Sequence, residues 1–505
     1  MDFRTCARPI ITISRRQYAL LPDLLALPNS VTSKHNLSKR RRDIQIQHKR
    51  HAHTRRNVSS TAVVYPQLDA SSEPDNAMPR PSAMACLPLS TLIRSYVITS
   101  VSSYPLLLRP SLSALSFLAN SKSRVFNPDT SPLLKLLLKR TFYAQFCAGE
   151  TSSEAKATIS ALKKTGYQGV ILGHAKEVVL TKAEIESLDT AVDDGEQERI
   201  NEADIATWKQ HLLDTIALAK EDDFVALKFS GAGCQALQHL LKDKPCAPEF
   251  EKAVHQMCQK AQERGVSLLF DAEQDDVQVG IDNWTMYFAR KYNRGDKALV
   301  YGTYQAYRKN TPEVLAKHLE LARKENFILG VKLVRGAYLN SDPRELFWPT
   351  IEGTHKCYNG IANALMKQQF NDVVEPGEGL SSEFPMVNLV LASHNAESVR
   401  LARQLRNEQA AAGKPMIRMA YGQLMGMADN VSCELVRAAN EAREADSKEV
   451  DVPQAYKYLV WGKMSECMKY LLRRAHENKD AVTRTVEARK ALGKELARRI
   501  GLARS

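Results

Sequence analysis

Several short apolar runs in this 505-residue chain end in residues that could do chemistry. "FVALK" closes on Lys228, "LLFD" on Asp271 and "YGTYQ" on Gln305. "KLVRGAY" carries Lys332, Arg335, Gly336, Ala337 and Tyr338. "NLVLASHN" ends in His394 and Asn395, and "MAYGQ" in Gln423, with Leu424 next. Later, "YLLRRAHEN" sets Arg473 and Arg474 side by side. Consecutive helical residues diverge by about 100°, so this pair either decorates a surface or converges on something anionic. Glycoside hydrolysis needs two paired carboxylates, which these endings lack. No histidine cluster suggests a ligand set, so no metal is expected. Neither a P-loop nor a G-x-G-x-x-G turn occurs, which removes both nucleotide fingerprints.

Each residue also has a plainer use. Lys228 could lay its stem along a rim, and Asp271 or Asn395 could cap the helix that follows. His394 could be a satisfied buried imidazole, and Gly336 could mark a turn or a close backbone approach. Singly these signals are weak. Their recurrence at one run end after another favours a shared site.

The runs themselves recur from "GVILG" (169–173) to "YKYLVWG" (456–462), separated by amphipathic stretches such as "TPEVLAKHLELARKENF". Strand–helix alternation predicts an α/β fold with a parallel sheet. Eight units over roughly 310 residues predict a (β/α)8 barrel, whose site lies at the C-terminal ends of its strands. No fixed-period repeat supports a solenoid. The expected organisation is a disordered basic leader over 1–80, a helical arm over 81–165, the barrel over 166–480 and a basic helical tail over 481–505. Two insertions interrupt the rhythm. Residues 183–204 hold nine acids against one arginine, which reads as a solvated excursion, and 373–385 has loop composition.

The net charge of +13 is concentrated at one end. Residues 1–60 contain thirteen Lys/Arg and three Asp, leaving the rest only weakly basic. A chain-wide nucleic-acid surface is therefore not expected. Rich in Arg, Ser and Leu and poor in acid, the leader has the composition of a mitochondrial transit peptide. A basic tail and a nuclear signal around Lys39–Arg42 are the alternatives. "SYVITSVSSYPLLL" (95–108) is too short to span a bilayer, which takes about 20 residues, and reads as a packed or interfacial helix. The nine cysteines show no C-x-x-C pair, so neither zinc nor a disulfide framework is indicated.

Over roughly residues 85–480 the chain resembles the flavin-dependent proline dehydrogenases. "KLVRGAYL", "LASHNAESV", "GQLMGMADNVS" and "YLLRRAHEN" occur in that family's order. The resemblance implies a distorted (β/α)8 barrel with a preceding helical segment. It also implies non-covalently bound FAD and oxidation of L-proline to Δ1-pyrroline-5-carboxylate by hydride transfer to the flavin. Ubiquinone is the implied acceptor, at the matrix side of the mitochondrial inner membrane.

By the same resemblance, Arg473 and Arg474 would hold the proline carboxylate with Lys228, Tyr458 would cover the ring, and Leu424 would add an apolar wall. Asp271 would pair with the site's cations and border the flavin, with Lys332 near its reactive nitrogen. Arg335 would reach the pyrophosphate past Gly336 and Ala337. Gln305, Tyr338, His394, Asn395, Gln423 and Glu477 would complete the cofactor site. One departure is His355 in "EGTHKCYN", where many relatives carry an acid. Tyr458 favours proline over hydroxyproline. The competing readings are a hydroxyproline-oxidising relative, another flavin barrel such as a methylenetetrahydrofolate reductase relative, and a non-catalytic barrel whose leader binds RNA or lipid.

Overall fold

Side chains alternate across a strand, and in this protein the alternation decides what the barrel interior and its rim receive. The computed structural model describes residues 82–121, 123, 125–175, 195–377, 381–446, 448–468, 470–472 and 482–501. Nine parallel strands are present among them: β1 (Cys147–Gly149), β2 (Gly169–His174), β3 (Phe224–Leu227), β4 (Ser267–Phe270), β5 (Val300–Gln305), β6 (Leu329–Val334), β7 (Val387–Ala392), β8 (Met419–Leu424) and β9 (Ala455–Trp461). β2 to β9 follow one another around the sheet, and β9 pairs with both β8 and β2, so these eight close a barrel. The eight apolar runs of the sequence are these strands.

Every barrel strand is buried nearly end to end, as expected when helices cover the outside and side chains fill the inside. Ile171, Phe224, Ala226, Leu269, Tyr301, Val390, Ala420 and Tyr456 pack together in the interior. The outer layer holds the helices Pro248–Glu263, Asp275–Tyr292, Thr311–Glu325, Ile351–Lys367, Ala396–Ala411 and Asp429–Ala445. Their boundaries carry local signals. Thr350 and Asn395 cap two of them with side-chain oxygens, and proline occupies the first turn of two others, where its missing N–H costs nothing.

Two features differ from expectation. β1 is a three-residue strand outside the barrel, paired to β9, and too short to leave a periodic signature. The acid-rich 183–204 stretch is in part no excursion. Its second half opens the helix Gly195–Leu218, which buries Ile205, Trp208, Leu212 and Ile216. That apolar stripe begins only at Ile205, so the acids of the first turns obscure it.

The segment before the barrel forms the helices Leu89–Ser103, Pro105–Asn120 and Pro132–Leu138. Ile98, Leu115 and Leu138 join Tyr143, Phe146, Met464 and Met468 in a second core beside β9. The C-terminal helix Val482–Arg499 lies against Leu89–Ser103 and buries Leu492 beside Leu92 and Met84. Beneath the arm, Lys457 on the outward face of β9 is 2% exposed and meets Asp429 at 2.9 Å. It also donates to the Met427 carbonyl, and Ser95 of the arm donates to the other carboxylate oxygen of Asp429. A cavity of about 460 Å³ adjoins this pair, between the arm, β9 and the helix Ser152–Thr165. No helix among the described residues is long and apolar enough to cross a membrane.

Candidate active site

The parity that sends Phe224, Leu269, Tyr301, Ile328, Ala420 and Tyr456 inward continues two or four residues further along each strand. It therefore delivers Lys228, Asp271, Gln305, Lys332, Leu424 and Tyr458 to the C-terminal mouth. At its centre Lys332 donates to Asp271 over 2.5 Å, with side-chain exposures of only 8% and 11%. The Lys332 ammonium also lies 5.4 Å from the centre of the Tyr458 ring, within the range of a cation–π contact. The Tyr458 hydroxyl points to the second Asp271 oxygen at 3.5 Å. A side chain at position 173 would collide with that hydroxyl, so Gly173 leaves the room it occupies. Asp271 does not cap the next helix; its carboxylate is committed to this cluster.

Lys228 reaches across the mouth to donate to the Tyr338 hydroxyl at 3.0 Å. Its backbone is held by Trp208, whose indole donates to the Lys228 carbonyl. The buried Glu273 accepts from the Ser230 amide at 3.0 Å and from the Ser230 hydroxyl. This bond ties the loop after β3 to the loop after β4. Neither Glu273 nor Trp208 was singled out from sequence, although Glu273 stands two residues past Asp271 at a strand end.

Arg335 follows β6 and is gripped on several sides. It donates to Ser398 at 2.7 Å, to Ser393 at 3.4 Å and to the Nδ1 of His355 at 2.7 Å, and it stacks over Tyr358 at 4.7 Å. Accepting that bond requires the His355 proton to sit on Nε2. Asn395 caps the adjacent helix, its side chain accepting from the Ser398 amide at 2.8 Å. A guanidinium beside a helix N-terminus is a favourable place for an anion. The chain then passes Gly336 at φ +146°, where a side chain would strike the Tyr307 ring. Tyr307 is itself stacked on Phe347 and accepts from the Tyr338 amide. Burial pushes the phenols of Tyr307 and Tyr358 above their usual range, so both stay neutral.

Gln305 is buried and accepts from the Ala337 amide at 3.3 Å. His394 accepts the Leu424 amide on Nε2 at 3.1 Å, which joins the ends of β7 and β8. The structure does not bring Gln423 to the mouth. Its parity is outward, and its amide is used between the Ser393 carbonyl and the Ser432 hydroxyl. Arg473, Arg474 and Glu477 lie outside the described residues. No group of three or more His, Cys, Asp or Glu placed to hold a metal occurs among the described residues.

The closed parallel barrel defines a (β/α)8-barrel protein, and this cationic, aromatic-walled mouth is its candidate site at the strand C-termini. A profile of the family described as proline dehydrogenase matches residues 155–487, and the chain belongs to that family. Proline dehydrogenase 1, mitochondrial, of Dictyostelium discoideum is 29% identical over 420 residues, covering 72% of this chain and 67% of that one. Proline dehydrogenase 2, mitochondrial, of Arabidopsis thaliana is 28% identical over 464 residues, covering 82% and 89%. Among solved structures, proline utilization A from Bdellovibrio bacteriovorus, inactivated by N-propargylglycine, matches with a TM-score of 0.55 and 14% identity. That match covers 85% of this chain but only 42% of the other, and it speaks for the fold.

Proposed function

We propose that this protein oxidises L-proline to Δ1-pyrroline-5-carboxylate with FAD as hydride acceptor. The electrons then pass to ubiquinone at the matrix side of the mitochondrial inner membrane. The observation that carries the reading is the Lys332–Asp271–Tyr458 assembly at the barrel mouth, facing Lys228, in a chain of this family.

The residues present suit the cofactor. Gly336 leaves the backbone bare on an exposed turn, and Arg335 beside a capped helix N-terminus would hold its pyrophosphate. Gln305 accepts from Ala337 in the same turn, Tyr338 follows it, and His394 and Glu477 belong to the proposed set. FAD, when bound, supplies the two-electron acceptor, chemistry that no side chain here could perform.

The chain's own residues bind and orient. Lys228 with Arg473 and Arg474 would hold the substrate carboxylate, where two guanidinium forks and an ammonium give directional, charge-assisted bonds. Leu424 and the Tyr458 ring would form the apolar walls of a five-membered ring, and the Tyr458 hydroxyl would crowd a ring hydroxyl, favouring proline over hydroxyproline. Asp271 holds Lys332 in place, so that its ammonium would be positioned to offset negative charge gained by a bound flavin. The substrate amine must shed its proton before its lone pair can help expel hydride from the neighbouring ring carbon.

The test is the absorbance of the purified protein under anaerobic conditions. L-Proline should bleach a bound flavin, and 4-hydroxyproline should do so far less. A protein that stays colourless after FAD is supplied would overturn the reading.

A further inference from the structure

Twenty-one large apolar side chains are exposed among the described residues, and twelve of them fall between Leu89 and Leu137. Scattered exposed leucines are ordinary, whereas a concentration of this kind marks a surface that is covered in use. On the helix Pro105–Asn120, Leu108, Leu112 and Leu115 face the protein. Leu106, Pro110 and Phe117 recur on the opposite side at helical spacing and are exposed. Leu106 is 89% exposed, the highest value among the exposed apolar residues, and Leu133 follows at 79%. The short helix Pro132–Leu138 repeats the pattern: Leu138 is buried, and Leu133, Leu136 and Leu137 point to solvent.

Charge decides what covers this face. Residues 82–146 contain seven Lys/Arg and one Asp; Lys135 and Lys139 pair with Glu150 and Glu154, whereas Arg109 and Arg140 are exposed beside the apolar face. The C-terminal helix packed on the arm adds exposed Lys490 and Lys494, one helical turn apart. A second copy of the chain would bring the same positive charge against itself, as would the leader, with its thirteen cations and three acids over residues 1–60. Apolar side chains framed by cations match an anionic phospholipid surface, with the leucines in the acyl boundary and the ammonium and guanidinium groups among the headgroups.

We propose that the helices Pro105–Asn120 and Pro132–Leu138 form an interfacial platform that docks this protein on an anionic lipid bilayer. Leu106, Leu133 and Leu137 are its principal inserting residues, and the C-terminal helix is its basic flank. The proposal rests on the membrane location proposed above and names the surface and lipid chemistry that would create it.

The experiment is sedimentation of the full-length protein with vesicles of phosphatidylcholine alone or mixed with cardiolipin, at low and high salt. The wild type should bind the cardiolipin vesicles and lose binding as salt screens the charges. The triple variant Leu106→Asp/Leu133→Asp/Leu137→Asp should bind at least tenfold more weakly. Proline-dependent reduction of a water-soluble dye should be unchanged in that variant, which also reports that it is folded. Equal binding by variant and wild type would overturn the proposal. So would a wild-type dimer that the same substitutions dissolve, because the face would then belong to a second copy. Failure of dye reduction in the wild type would instead refute the enzymatic reading and leave the vesicle result to stand by itself.

Discussion

Removing either partner of the Lys332–Asp271 pair should cost far more than removing both. The two groups meet at 2.5 Å with about nine-tenths of each side chain out of water. Asp271→Ala leaves an ammonium without its anion in that setting, a change worth about 3–5 kcal/mol in buried pairs. Because the pair sits at a barrel mouth rather than in the deep interior, the lower end applies, about 3 kcal/mol. Lys332→Met strands the carboxylate and should cost a similar amount. The double variant Asp271→Ala/Lys332→Met strands neither charge, and a methionine roughly fills the lysine's volume, so its loss should be within about 1 kcal/mol. The cycle therefore predicts a coupling of about 5–6 kcal/mol between two residues on different strands. Urea unfolding reads it: with a slope near 3 kcal/mol/M, each single variant shifts the midpoint down by about 1 M, and the double variant mostly restores it. Proline turnover should be lost in all three, so that recovery of stability without recovery of activity separates the two effects. Single-variant losses that simply add, to within about 0.5 kcal/mol, would refute the pairing and the electrostatic picture built on it.

Three further outcomes follow from the structure. Asp429→Ala should destabilise by about 3 kcal/mol, because Lys457, 2% exposed, would keep only two carbonyls and the Tyr167 ring and no anion; Lys457→Met in the same chain should recover most of the loss in a urea titration. Gly336→Ala combines a positive φ with a collision against a stacked tyrosine, each costing about 1–3 kcal/mol; flavin retained after gel filtration should fall, and full retention would contradict the close approach proposed there. Burial pushes the Asp282 carboxyl up to about 7, above the unfolded value of about 4. The native state then binds the extra proton, so stability falls as pH rises between those values. Asp282→Asn keeps the acceptor for Gln278, whose amide donates to Asp282 at 2.8 Å, and should raise the melting temperature at pH 8 but not at pH 4; an equal effect at both would refute the assignment.

How much of this was legible in sequence depends on the physics of buried parallel strands. Their order and number could be read because each is an apolar run punctuated by an amphipathic helix. Their inward and outward faces could not, because a strand covered on both sides shows no polarity alternation. Gln423 and Leu424 illustrate the cost: both end β8, yet only Leu424 has the inward parity, while Gln423 is turned toward Ser432 on the covering helix. Lys457 and Tyr458 are neighbours with opposite fates for the same reason, one neutralised beneath the arm and the other at the barrel mouth. The partner of Asp271 was equally hidden, since 61 residues separate it from Lys332 and only the register of β4, β5 and β6 brings the two together. His355 was visible as an oddity but not as a contact of Arg335, because a helix turn beyond a long loop has no sequence signal for where it lands. Asn395 shows the converse. Its capping role was legible from its residue type at a run end just before a helix, and the structure has it capping, with Glu397 in the first turn. A cap organises backbone N–H groups at a helix start, so this plain structural use is also what makes the adjoining Arg335 cluster receptive to an anion.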